Sequence, residues 1–153
     1  MLLVRMLGAA GAVLLTASLT TASSVSAEEP APTAKFVLDP TTGQIPVGGG
    51  TPSPGTGATI SFDTPCPETH RYRFRIQLVN ADESQIKSAL FNRPAADGSV
   101  TTEPGFNFWA KASVIPADGE EWQLRLLCYD PQSVPIQWAT ATLRVSGTTW
   151  TAE

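Results

Sequence analysis

The chain has 153 residues, with 10 Lys and Arg against 14 Asp and Glu, and a sequence pI of about 4.9. That balance lacks the basic footprint that nucleic-acid binding requires. Two Cys and a single His do not supply a tetrahedral metal-ligand set at the usual spacing, so neither a metal nor another cofactor is expected.

Arg5 precedes an apolar run from Met6 to Leu19, and small residues lead to Val25-Ser26-Ala27 before Glu28. This layout predicts a secretory signal peptide over residues 1–27, cleaved after Ala27. The apolar run is shorter than the ~20 residues a bilayer-spanning helix needs. No Cys follows it for lipidation, and no second apolar stretch lies near Glu153, so no stable membrane anchor is predicted. The exported chain loses Arg5 and keeps every acidic residue, leaving 9 basic against 14 acidic and a formal charge of −5. Its length fits one domain. In such a chain Cys66 and Cys128 are expected to form a disulfide, two buried thiols being the alternative.

Residues 28–33 read as a disordered lead-in. A short edge strand over 35–39 puts Phe36 and Leu38 on one side and ends at Pro40. Residues 41–57 are crowded with Gly and Pro and read as one long connection. A strand follows over 58–63, and Pro65 and Pro67 close it around Cys66.

The stretch 71–80 is the most regular, with Tyr72, Phe74, Ile76 and Leu78 alternating with Arg71, Arg73, Arg75 and Gln77. It predicts a strand with one dry face carrying the four apolar residues. Ile60, Phe62, Thr64 and Cys66 share that period, as do Trp122, Leu124, Leu126 and Cys128, so both cysteines point into a common core.

Residues 82–92 admit two readings: a short helix opened by Asp82 with Gln85 three residues later, or a strand over 89–92, which is preferred. Ala95 to Ser99 is a turn with a positive φ at Gly98, expected to join two antiparallel strands. Residues 106–114 alternate again and predict a strand, with Trp109 on the wet side as an exposed aromatic. A turn at Pro116 to Gly119 leads into a strand over 122–129. A last strand over 136–145 changes phase, which a β-bulge at 139–141 reconciles; residues 147–153 read as a tail.

About seven short strands and almost no helix predict an all-β, two-sheet sandwich. The pieces Thr64-Pro65-Cys66-Pro67, Ala96-Asp97-Gly98-Ser99, and Val114-Ile115-Pro116 followed by Gly119 and Trp122-Gln123-Leu124 up to Cys128 resemble immunoglobulin-like domains of secreted and surface proteins of actinobacteria. The resemblance covers residues 34–146 and implies an immunoglobulin-like sandwich with Cys66 and Cys128 bridging its two sheets. It also implies that the strand ending at Cys128 lies beside 71–80 and adds Arg125 and Gln123 to its cationic row.

No residue set forms a reaction centre. His70 is the single candidate base and sits between Glu68 and Arg71 in a polar turn. Adjacent carboxylates at Glu28-Glu29, Asp82-Glu83 and Glu120-Glu121 point to opposite faces of an extended chain. Gly48 to Gly50 lacks the Lys of a phosphate loop. The sequence therefore predicts a secreted non-enzymatic binding protein.

The candidate binding face is Arg71, Arg73, Arg75 and Arg125 with Trp109, facing an extracellular polyanion, a cell-wall glycan or a protein partner. The same arginines also fit ordinary solvent-side residues paired with Glu120, Glu121 or Asp130, and Trp109 also fits a site beneath the Gly/Pro connection. Two other functions stay open. One is a carrier of a small apolar molecule, resembling apoproteins of the neocarzinostatin type; the other is a secreted enzyme inhibitor.

Overall fold

A computed structural model describes residues 34–46 and 57–153. The predicted signal peptide (1–27), the predicted lead-in (28–33) and residues 47–56 of the Gly/Pro connection lie outside the described residues.

Period-two alternation sets the centre of the molecule. β4 (Arg73–Asn80) and β6 (Glu121–Tyr129) pair antiparallel. Ile76 stands opposite Leu126 and Leu78 opposite Leu124, and all four are buried. β5 (Ile86–Asn92) extends the sheet on one side. On the other side come β7 (Pro135–Ser146), β8 (Thr149–Ala152) and β2 (Thr42–Gln44), giving the order β2-β8-β7-β6-β4-β5. β1 (Phe36–Asp39) and β3 (Thr59–Phe62) form a separate antiparallel pair. Leu38 and Ile60 from this pair share one apolar core with Ile76 and Leu124 of the large sheet. The architecture is thus all-β and sandwich-like, with two antiparallel sheets.

Cys66, just after β3, and Cys128, in β6, are disulfide-bonded with their Cα atoms 6.0 Å apart. The bridge ties the connection leaving the small sheet to the middle of the large one. Closing a loop of 62 residues, it stabilises by about 4 kcal/mol in the chain-entropy picture.

Several expectations are corrected. Residues 106–114 are not a strand: α1 (Phe108–Ala112) forms there. Asn107 caps it by accepting a hydrogen bond from Ala110 N–H at 3.0 Å, and Ser113 ends it in the left-handed conformation at φ 55°. Phe108, Trp109 and Ala112 are its buried residues, a helical rather than an alternating set. Trp109 is accordingly not exposed but fully buried, its ring 5.7 Å from that of Trp122.

Tyr72 leaves the dry face. The ladder starts only at Arg73, because Arg71 makes a parallel bridge to Tyr129 and Tyr72 N–H bonds the Tyr129 carbonyl; the phenol is left 37% exposed. The turn at 95–99 does not join two strands of a hairpin. Beyond it the chain runs beside β3, where Thr102 N–H bonds the Ile60 carbonyl and Ile60 N–H bonds the Thr102 hydroxyl at 2.8 Å.

The bulge in β7 lies slightly earlier than expected. Leu126 pairs with Ala139 and Leu127 with Gln137, so Trp138 is the extra residue. Residues 149–152 are a strand rather than a tail, and residues 42–44 a strand rather than loop. Gly43 pairs with the buried Trp150, and a side chain at 43 would come within 2.7 Å of the indole. Residues 82–85 form a turn in which Asp82 accepts from the Ser84 hydroxyl, and the preferred strand follows them as β5.

Candidate functional site

With the even-numbered residues of β4 in the core, alternation turns Arg73, Arg75 and Gln77 to the opposite face of the large sheet. Pairing with β6 sets Tyr129 opposite Arg73, Leu127 opposite Arg75 and Arg125 opposite Gln77. Pairing with β5 sets Phe91 opposite Arg75 on the other side. Three rings and three guanidinium groups therefore crowd one end of the sheet face turned away from the core.

They interleave. The Arg75 guanidinium lies 4.7 Å from the Phe91 ring centroid and 5.6 Å from that of Tyr129. Arg73 lies 5.2 Å from Phe91 and 5.4 Å from Tyr72, and Arg93, just past β5, lies 5.5 Å from Tyr72. Each contact is within the range in which a cation is held by a ring quadrupole, about 0.5–1 kcal/mol at exposed sites. Phe91 and Tyr129 also meet edge to face with centroids 5.8 Å apart.

The electrostatics of this group are one-sided. Among the described residues no carboxylate lies within 4.0 Å of Arg73, Arg75 or Arg93. The buried Nε of Arg75 has no hydrogen-bond partner there. A small depression of about 230 Å³ opens between Arg73, Phe91, Asn92 and Arg93.

The other arginines of the sheet are occupied. Arg125 pairs with Glu83 and bonds Gln123 through Nε at 3.0 Å. Arg144 pairs with Glu153 at 2.8 Å and Glu121 at 3.6 Å, and its hydrogen bond to Glu153 raises its pKa above the ordinary arginine value. The anticipated partners Glu120 and Asp130 serve local structure instead. Glu120 accepts from the Trp122 indole N–H at 2.9 Å, and Asp130 accepts from Val134 N–H at 2.8 Å.

Of the sequence-predicted residues, Arg73 and Arg75 belong to this group and Arg125 sits at its margin. Arg71 does not. Its Nε donates to the Cys66 carbonyl at 2.8 Å while Gly98, at φ 86°, packs against its side chain. Cys66 N–H in turn bonds the Gly98 carbonyl at 2.9 Å. Arg71 is thus a clamp on the disulfide loop. Asp97 in the same turn is held below the ordinary aspartate pKa, first by the Ser99 hydroxyl, then by Ser99 N–H and, more weakly, by the charge of Arg71. Trp109 lies in the core, on the other side of the sheet, and is no part of the face.

His70 ends a 3-10 turn, Glu68–His70, with Nδ1 2.8 Å from the Thr69 hydroxyl.

Tyr72, Phe91, Arg93 and Tyr129 were missing from the sequence-level site. Tyr129 carried a usable signal, since it shares the parity of Gln123 and Arg125. Phe91 and Arg93 carried none until β5 was paired with β4.

No protein-family model matches the chain, and no curated protein or solved structure matches it either.

Proposed function

We propose that the chain is an exported, non-catalytic binding module of immunoglobulin-like type whose ring-and-guanidinium face holds an extracellular polyanion, such as a sulfated or phosphorylated wall glycan. The observation that carries this reading is that, in a chain with an excess of carboxylates, three clustered guanidinium groups have none within 4.0 Å among the described residues. The rings hold the cations in place, so little side-chain freedom is lost when an anion arrives. Phe91 has two guanidinium neighbours, which favours recognition through guanidinium N–H edges and anionic oxygens over stacking of sugar rings on that side chain. Arg73 and Arg75 stand two residues apart on one strand, about 7 Å, a spacing that suits successive charges along a polymer. The disulfide favours an oxidising compartment, consistent with the signal peptide read from the sequence.

The test is retention on immobilised heparin and polyphosphate over a salt gradient. Arg73→Gln with Arg75→Gln is expected to weaken binding about tenfold or more and to flatten its salt dependence. Arg144→Gln, whose guanidinium is already paired, should leave retention unchanged. Equal losses in the two variants, or no retention of the parent protein, would refute the assignment.

A further inference from the structure

A second concavity lies on the core side of β5, where the chain segment 99–106 and α1 leave a cleft of about 490 Å³. That volume is within the range of about 300–1,000 Å³ typical of small-molecule sites. Its apolar walls are Phe74, Leu90, Val100 and Phe106. Lys111 and Arg93 also line it, with Glu103 as the one acidic residue of the lining, so its formal charge is +1 on a chain that is negative as a whole. None of these three charged side chains has an ion-pair partner among the described residues.

Hydroxyls add directionality. Thr102 Oγ1 accepts from Ile60 N–H, which leaves its own O–H free to donate into the cleft, and Thr101 also lines it. Ser99 is committed, since its hydroxyl donates to Asp97 at 2.7 Å.

We propose that this cleft binds a small monocarboxylate with an aryl or alkyl tail. The carboxylate sits between Lys111 and Arg93 and takes a hydrogen bond from Thr101 or Thr102, while the tail lies against Phe74, Leu90, Val100 and Phe106. A neutral tail alone would leave two cations unmatched, and Glu103 disfavours a second negative charge. A single anionic head on an apolar body is the ligand that answers both. The site is separate from the polyanion face, although Arg93 borders both, and Lys111 belongs to the cleft alone.

The experiment is an amide-resolved NMR titration of the oxidised full chain with 4-phenylbutyrate and with its uncharged analogue 4-phenylbutan-1-ol. The acid is expected to shift the amides of Val100 to Glu103 and of Lys111 saturably, with a Kd of about 1 mM or tighter. The alcohol and the Lys111→Gln variant should each bind about fivefold more weakly, and Glu103→Gln should tighten binding. Lys111 is exposed, so its variant should keep the parent spectrum elsewhere. Equal affinity for acid and alcohol, an unaffected Lys111→Gln variant, or the absence of saturable shifts at 100–103 overturns the proposal. Shifts confined to Tyr72, Phe91 and Tyr129 would do so too, placing the anion on the other face.

Discussion

Replacing Gly98 by Ala probes the clamp around the disulfide, and its cost can be worked from the geometry. Gly98 has φ 86°, a conformation that costs an L-residue roughly 1–2 kcal/mol. An added methyl would also meet Arg71 Nε, the Cys66 carbonyl at 2.7 Å and Arg71 Cδ at 2.9 Å. Those atoms cannot retreat freely, because Arg71 Nε is bonded to the Cys66 carbonyl and Cys66 is held by the disulfide. Relieving such overpacking typically costs a further 1–3 kcal/mol, so the total is about 2–5 kcal/mol.

Gly119 provides the control. Its φ is 81°, but a methyl there would meet nothing within 4 Å, so Gly119→Ala should lose only the backbone part, roughly 1–2 kcal/mol. Urea unfolding of both variants with the disulfide intact measures the difference. Equal losses at the two positions would show that Arg71 and the Cys66 carbonyl do not form a rigid wall, and the reading of Arg71 as a clamp would fail.

Three further outcomes are expected. Cys66→Ser with Cys128→Ser, or reduction of the parent protein, should lower stability by about 4 kcal/mol, measured by unfolding with and without a thiol reductant. Trp150→Ala should cost about 3–5 kcal/mol, since the indole is buried against Phe108 with ring centroids 5.0 Å apart; a loss below about 1 kcal/mol would mean β8 is not part of the folded core. Asp97 has a lowered pKa in the folded chain, so the stability it contributes is present above its unfolded pKa and fades as pH falls through the folded one. Below about pH 4, Asp97→Asn should therefore lose less stability than the parent protein, read as the urea midpoint against pH.

Period-two patterning was enough to locate β4 and β6, because burying one face of a strand forces every second side chain to be apolar over its whole length. The same logic placed Cys66 and Cys128 in one interior, and the predicted signal peptide made their bond expected; Arg73 and Arg75 were legible as the polar side of that pattern. Tyr72 was misplaced because alternation says nothing about where a ladder begins, and with Arg71 in a parallel bridge to Tyr129 the ladder starts at Arg73, two residues later than the pattern suggested.

Local sequence was ambiguous at 106–114, where Phe106, Phe108, Ala110, Ala112 and Val114 fit a strand as well as Phe108, Trp109 and Ala112 fit one turn of helix. The choice fell to the Asn107 cap and to the pocket that Trp122 and Trp150 offer the two rings. β2 and β8 are too short to show a period; β8 exists because it pairs with β7, and β2 because it pairs with β8 at the sheet edge. The proposed binding face has the same origin. Residues 73, 91 and 129 are far apart in the chain, and only strand pairing brings their side chains within reach, since contacts across a sheet depend on register, which a single strand does not encode.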